Sequence, residues 1–172
     1  MPQPQHITKL KQPDLDTLDE DIQEYMRKCQ EKLGLMPNVL LAFTQRPEKF
    51  RRFTRMYNEI MLADSGLSKC EREMIAVVVS SANRCYYCLV AHGAALRELS
   101  EDPQLGEMLV MNYKVADLEP RQKEMLDFAW MLTTDPRNAD DAARERLRQV
   151  GFSDEDIFDI CDVVGFFNYT NR

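Results

Sequence analysis

The sequence predicts an all-α protein, a multi-helix bundle. Glycine is scarce, with 6 among 172 residues, and the polar stretches consist of residues that favour helices. Apolar side chains recur every three and four residues in several segments, which is the spacing of one helix face. No apolar run approaches the roughly 18 residues that cross a bilayer, so we expect no membrane-spanning segment.

The first predicted helices are amphipathic and are bounded by glycine and proline. Residues 14–34 form a helix that stops at Gly34, because glycine readily adopts the left-handed conformation past a helix end. Pro37 suits the first turn of a second helix. A third helix follows over residues 48–63, where aromatic and aliphatic side chains lie at helical spacing. We expect residues 1–34 to be a helical extension.

The domain over residues 35–172 is predicted to contain a central buried helix. This helix covers residues 71–81 and includes the apolar run Met-Ile-Ala-Val-Val-Val. Ser68 and Glu71 form a capping box at its start. The valines alone would also suit a strand, but no hairpin partner accompanies them. Asn83 is expected to take the left-handed conformation that ends the helix.

Further helices complete the predicted bundle. One carries residues 85–98, Pro103 opens another, and Pro120 lies early in a helix that ends near residue 133. Residues 139–149 form a charged surface helix. Ser153 caps a last helix, whose apolar side chains recur at helical spacing.

Charge and cysteine count restrict the function. The net charge is −7, which argues against binding to nucleic acid or to anionic membranes. The first residues contain no apolar segment typical of a secretory signal. The five cysteines are an odd number, so a structural disulfide framework is not expected. These features predict a cytoplasmic protein with one special cysteine pair.

The motif Cys85-Tyr-Tyr-Cys88-Leu-Val-Ala-His92 is the main functional signal. On a helix each residue advances about 100°, so Cys85 and Cys88 lie about 60° apart. Cys88 and His92 lie about 40° apart, and all three side chains share one helix face. The spacing therefore predicts a dithiol with an adjacent base.

The chemistry of such a dithiol is redox chemistry. Thiolates attack peroxides and disulfides, and a helix N-terminus lowers a cysteine pKa. A nearby histidine can move the proton. A second thiol three residues away can close a disulfide, which prevents further oxidation of the first.

Glu73 lies twelve residues before Cys85. On one straight helix that separation is about 18 Å, too far for contact. If the chain reverses near Asn83, the two helices run antiparallel and Glu73 reaches the level of His92. A buried carboxylate there orients the imidazole and stabilises its charged form.

Other interpretations of these residues remain open. The two cysteines could be buried in the core as small apolar side chains, and His92 could be a buried core histidine whose ring nitrogens are hydrogen-bonded. A zinc site lacks a second Cys/His pair at zinc-finger spacing. Glu73 suits an ordinary helix charge. Tyr87 is expected to line the substrate entry to the thiols, with core packing as its alternative.

The pattern Glu73-x11-Cys85-x2-Cys88-x3-His92 resembles the alkylhydroperoxidase D-like branch of the carboxymuconolactone decarboxylase superfamily. The segment EREMIAVVVSSANRCYYCLVAHG is similar to that family's core. Residues 151–172 are similar to its closing helix, and the opening segment resembles that of a peroxidase-related subgroup. The resemblance covers roughly residues 35–172.

The resemblance implies an all-helical fold of that type, assembled as a homo-trimer or homo-hexamer. It implies a peroxidase in which Cys88 attacks the substrate, Cys85 resolves the intermediate, and His92 and Glu73 relay protons. The substrate would be an organic hydroperoxide or a disulfide, and a dithiol protein, such as a lipoylated one, would restore the pair. Tyr87 stands where the best-studied members have a histidine.

Two functions of other classes compete with a peroxidase. One is a non-catalytic oligomeric redox sensor in which the Cys85–Cys88 disulfide changes packing. The other is an acid- or lactone-processing enzyme that uses His92 and Glu73 without cysteine redox chemistry. No cofactor fingerprint is present, so we expect neither a bound cofactor nor a metal.

Overall fold

The structure is a computed structural model that describes residues 11–172 of the chain. The first ten residues of the predicted extension, with part of the segment on which the signal-peptide prediction rests, lie outside the described residues. Within 11–172 the regular structure is entirely helical, as the sequence predicts. The α-helices are α1 (Glu20–Leu33), α2 (Asn38–Phe43), α3 (Pro47–Leu62), α4 (Lys69–Ala82), α5 (Tyr86–Ser100), α6 (Pro103–Asn112), α7 (Pro120–Thr134), α8 (Asp141–Gln149) and α9 (Asp154–Thr170).

The chain divides into two compact units, the first ending at Glu59 and the second running from Ile60 to Arg172. The division falls inside α3. The boundary predicted after residue 34 separates an N-terminal extension from a domain, which is a different division from that between the two compact units. It stays a prediction.

The first unit has an aromatic core. Phe50 is buried, and Tyr25 meets it edge-on with 5.6 Å between ring centroids. Phe43 of α2 stacks on Phe53 of α3 at 4.0 Å. Gly34 has φ +71° directly after α1, which confirms the predicted helix end.

Helix α4 is the centre of the second unit. Every residue from Glu71 to Ser80 is buried, and α5, α6, α7 and α9 all pack against it. A helix that is covered on all sides needs no polar stripe, which explains the nearly continuous apolar run. The predicted buried central helix is therefore confirmed.

The charged residues at the start of α4 are held by hydrogen bonds. Glu71 and Ser68 form the predicted capping box, with bonds of 2.8 and 3.1 Å, and Arg121 pairs with Glu71 at 3.1 Å. The guanidinium of Arg72 is only 3% exposed and donates to backbone carbonyl oxygens. These belong to Ile60, Ala63 and Leu67.

The chain reverses between α4 and α5 at Asn83 and Arg84. Asn83 has φ −83°, whereas Arg84 has φ +55°, so the prediction that Asn83 is left-handed is wrong. Asn83 stays near helical geometry because its side chain is anchored. Its Nδ2 donates to Oδ1 of Asn168 at 3.0 Å and of Asn171 at 2.9 Å. The left-handed turn therefore falls on the next residue.

The later helices begin largely where the sequence predicts. Pro103 and Pro120 occupy the first positions of α6 and α7, and the Ser153 hydroxyl accepts from the backbone N–H of Asp156. Helix α8 begins two residues later than expected, after Asp140, whose side chain caps it. Within the described chain, no helix combines the length and apolar character needed to cross a membrane.

Candidate dithiol site

Cys85 and Cys88 lie at the N-terminus of α5. Cys85 is the N-cap residue and Cys88 is the third residue of the helix. The reversal brings the Cys85 backbone N–H to the carbonyl oxygen of Ser80 on α4, at 3.0 Å. Both cysteines are free thiols, but they differ in exposure, because Cys85 is half-buried and Cys88 is only 5% exposed.

The Cys88 thiol is in an environment that favours its protonated form. Its pKa is raised to about 12, chiefly by burial and then by hydrogen bonding and charge interaction with the neighbouring Cys85. Hydrogen bonds from the side chains of Asn171 and Ser80 act in the opposite direction. The expected lowering of this pKa by the helix N-terminus is therefore outweighed by burial.

Glu73 and His92 form a pair between α4 and α5. Glu73 Oε2 lies 2.7 Å from His92 Nδ1, and the side chains are 10% and 15% exposed. The predicted antiparallel arrangement of the two helices thus brings the carboxylate to the imidazole. The ring of Phe167 on α9 meets the imidazole edge-on, with 4.6 Å between centroids. Carboxylate and aromatic ring together hold the imidazole in one orientation.

The structure does not join all predicted site residues into one hydrogen-bonded chain. Among the described residues, no hydrogen bond connects His92 to Cys85 or Cys88. Tyr87 is half-buried next to Cys88, whereas Tyr86 is 80% exposed. The thiol pair at the start of α5 and the Glu73–His92 pair between α4 and α5 are therefore two separate groups.

The sequence interpretation missed a polar cluster beside the thiols. Ser80, Asn83, Asn168 and Asn171 are connected by side-chain hydrogen bonds of 2.9 to 3.0 Å. A serine in the apolar run of α4 and two asparagines three residues apart in an apolar helix are the signals that could have indicated it. Such groups are buried only when other polar groups satisfy them.

The donor set around the thiols does not form a metal site. Within residues 11–172, no group of three or more His, Cys, Asp or Glu side chains is arranged to hold a metal ion. The helical second unit with this site defines a dithiol protein with a carboxylate–histidine pair.

The comparisons place this dithiol protein in a family. The model of the carboxymuconolactone decarboxylase family matches residues 47–109. An uncharacterized peroxidase-related protein from Silicibacter sp. TM1040 is 59% identical over 100% of this chain and 90% of that one, with a TM-score of 0.94. The chain therefore belongs to the alkylhydroperoxidase D-like, peroxidase-related group of the carboxymuconolactone decarboxylase superfamily.

Two further solved structures share the fold. An uncharacterized peroxidase-related protein from Ralstonia eutropha JMP134, described as an alkylhydroperoxidase AhpD core, is 43% identical over 95% of this chain and 86% of that one, with a TM-score of 0.92. The debrominase Bmp8 is 18% identical over 96% of this chain and 87% of that one, with a TM-score of 0.80, which shows the fold alone. No curated protein matches the chain.

Proposed function

We propose that this protein is a thiol-dependent peroxidase that reduces organic hydroperoxides through Cys85 and Cys88. The observation that carries the proposal is the pair of neighbouring thiols at the start of α5, with His92 further along that helix and paired with Glu73 of α4. Membership of a peroxidase-related group supports the same chemistry.

The Glu73–His92 pair would supply proton transfer. When His92 Nδ1–H donates to Glu73, the ring's Nε2 is left as the proton acceptor. The high pKa of Cys88 means that its proton must be removed as attack begins, which is the task of a general base. Substrate binding would complete the contact between the imidazole and the thiol, which the substrate-free geometry leaves open.

The proposed reaction consumes one hydroperoxide and two thiols. The Cys88 thiolate attacks the terminal oxygen of ROOH, so that an S–O bond forms, the O–O bond breaks, and RO⁻ takes the proton to leave as ROH. The Cys85 thiol then attacks the sulfenic sulfur. An S–S bond forms and hydroxide leaves as water with the Cys85 proton.

Regeneration requires a dithiol reductant, and we propose a dithiol protein such as a lipoylated one. One of its thiolates attacks the Cys85–Cys88 disulfide, and its second thiol resolves the mixed disulfide, so that two electrons pass to the pair. Cys85 is the more exposed sulfur and is the one such a partner reaches more readily. A reducing cytoplasm would supply this reductant.

We also propose that the protein assembles as a homo-trimer or homo-hexamer. Large apolar side chains on the second unit are exposed, among them Met111 at 81% and Val115 at 64%. Burial of such surface between copies would be favourable. Light scattering of the purified chain tests this, and a monomer at micromolar concentration would contradict it.

A redox sensor is the second candidate, and the position of Cys88 favours it. Cys88 contacts Ser80 of α4 and Asn171 after α9, so a disulfide would alter contacts among three helices. A sensor requires oxidation and a change of shape, but no turnover.

The deciding assay follows loss of cumene hydroperoxide with excess dihydrolipoamide. We expect turnover in the wild type and none in Cys88→Ser with its fold retained. Cys161→Ser is the matched control, because Cys161 is a half-buried cysteine on α9 and should keep full turnover. Absence of turnover in the wild type would reject the peroxidase. Activity retained in the Cys85→Ser/Cys88→Ser double variant would instead indicate chemistry at His92 and Glu73.

A further inference from the structure

Two neutral side chains from other helices approach the Cys88 sulfur. Ser80 lies in α4 and is 0% exposed, and Asn171 is the C-cap residue of α9. Both side chains neighbour the Cys88 thiol and act to lower its pKa, against the effect of burial. A buried hydroxyl is costly without partners, and the partners of Ser80 are Asn171 and Cys88.

The direction of these hydrogen bonds is determined by Asn83. Asn83 Nδ2 donates to Asn171 Oδ1 at 2.9 Å, so Asn171 turns its Nδ2 the other way. That Nδ2 donates to Ser80 Oγ at 3.0 Å. The Ser80 hydroxyl, having accepted this bond, has its own proton to donate, and the Cys88 sulfur is the neighbouring acceptor.

Asn83 itself is fixed by a second amide. Its other Nδ2 hydrogen is donated to Asn168 Oδ1 at 3.0 Å, and Asn168 Nδ2 donates to Thr133 Oγ1 at 3.1 Å. Asn83 therefore uses both amide hydrogens on oxygens, and an inverted Asn83 amide would place its own oxygen against those of Asn168 and Asn171. The hydrogen bonds of this network therefore all run in one consistent donor-to-acceptor direction, and the last donors lie beside the Cys88 thiol.

We propose that Ser80 and Asn171 are thiolate-binding residues of the dithiol site and that Asn83 positions Asn171. This assignment rests on the proposed function, because it gives the attacking Cys88 thiolate its hydrogen-bond donors. Donors to a charged sulfur are stronger than donors to a thiol, so they stabilise the reactive form selectively. They would also stabilise Cys88 as the leaving thiolate when the disulfide is reduced.

The other groups near Cys88 do not replace these donors. On its own helix, Cys85 raises the Cys88 pKa. Glu73 on α4 is paired with His92. Arg172, after α9, directs its guanidinium to the carbonyl and side-chain oxygens of Asn168, at 2.7 and 3.0 Å. The donors that favour the thiolate are Asn171 and Ser80.

The test measures Cys88 alone, in a Cys85→Ala background that removes the second titrating thiol. The rate of Cys88 alkylation by iodoacetamide is followed against pH by peptide-resolved mass spectrometry. Asn171→Asp keeps the oxygen that accepts from Asn83 and removes the donor. Ser80→Ala removes the hydroxyl. We expect each to lower the alkylation rate below pH 9 about tenfold, the equivalent of one pKa unit.

Ser81→Ala is the matched control, because the hydroxyl of Ser81 donates to the Val110 carbonyl oxygen at 2.6 Å. Ser80→Thr keeps the hydroxyl and should restore the wild-type profile. If Ser80→Ala does not fold, Asn171→Asp alone tests the proposal. Asn171 follows the last turn of α9, so its replacement should disturb the fold less. The proposal would be overturned if Asn171→Asp, and Ser80→Ala where it folds, gave the same Cys88 alkylation rate against pH as Ser81→Ala.

The alkylation assay contains no peroxide, so it separates this inference from the proposed function. Shifted Cys88 profiles in a chain that never turns over hydroperoxide would reject the peroxidase and leave the thiolate-binding assignment standing. Turnover of hydroperoxide with unshifted Cys88 alkylation profiles would support the peroxidase and overturn the thiolate-binding assignment.

Discussion

Glu73 Oε2 and His92 Nδ1 lie 2.7 Å apart although 19 sequence positions separate the two residues. Glu73 comes from the helix before the dithiol and His92 from the helix that carries it. This contact joins a mostly buried carboxylate to the imidazole that lies on the dithiol helix.

Replacing the carboxylate by an amide should impair catalysis while keeping side-chain size. For Glu73→Gln we expect the kcat for cumene hydroperoxide to fall about 100-fold, a typical contribution of a positioned acid–base group. Steady-state assays with excess dithiol measure it. Glu98→Gln is the control, because Glu98 is exposed on α5, the helix that carries His92. An unchanged kcat in Glu73→Gln would remove the relay from the mechanism.

Tyr87 is expected to affect substrate binding. Tyr87→Ala should raise the KM for a bulky hydroperoxide several-fold and change the KM for hydrogen peroxide little, because only the bulky substrate has apolar surface to bury. Tyr86→Ala is the matched control, since the adjacent Tyr86 is 80% exposed. Equal changes of KM for both substrates would argue that Tyr87 supports the core instead.

Alkaline pH should destabilise the fold partly through Cys88. Burial raises its pKa from 9.0 to about 12, so the unfolded chain loses this proton at a lower pH than the folded chain. The stability that the neutral Cys88 thiol contributes is therefore fully present below pH 9 and is lost as pH rises towards 12, by about 1 kcal/mol at pH 10.

Urea unfolding under reducing conditions at pH 8 and pH 10 measures this loss. We expect the free energy of unfolding to decrease less in Cys88→Ala than in the wild type, by about 1 kcal/mol. Burial also raises the pKa of Cys161, which is half-buried. The Cys161→Ala variant therefore shows how much a second cysteine contributes to the loss of unfolding free energy between pH 8 and pH 10. An identical decrease in wild type and Cys88→Ala would contradict the prediction.

Arg84 should be replaceable by glycine with a gain in stability. Its φ of +55° is disfavoured for a residue with a side chain, at a cost of about 1–2 kcal/mol. Glycine removes that cost but adds freedom to the unfolded chain, so we expect Arg84→Gly to gain about 0.5–1 kcal/mol.

Thermal unfolding of Arg84→Gly and Arg84→Ala distinguishes backbone strain from loss of the side chain. Alanine retains the Cβ and should not stabilise the protein. A gain in both variants would attribute the effect to removal of the guanidinium rather than to the turn.

Local sequence signals are enough to predict the helices and most of their ends. Ser68 with Glu71, Gly34 and Pro103 act on neighbours within four residues, which is the range of helical hydrogen bonds. The angular spacing of Cys88 and His92 likewise follows from helix geometry, whereas Cys85 is the N-cap residue of α5 with extended backbone, so the predicted common face of all three side chains stays a prediction. Local geometry does not predict that the left-handed turn falls on Arg84 rather than on Asn83. Hydrogen bonds of Asn83 with residues about 85 positions away determine it.

The surroundings of the thiols, by contrast, depend on contacts between segments that are distant in the sequence. The burial of Cys88, the arrival of Asn171 and the contact of Glu73 with His92 all depend on helices packed side by side after the chain reverses. No local pattern encodes these neighbours, since each is supplied by a distant segment whose own apolar face must first be buried against α4. Helical periodicity thus relates Cys88 to His92 along α5, and long-range packing raises the pKa of Cys88.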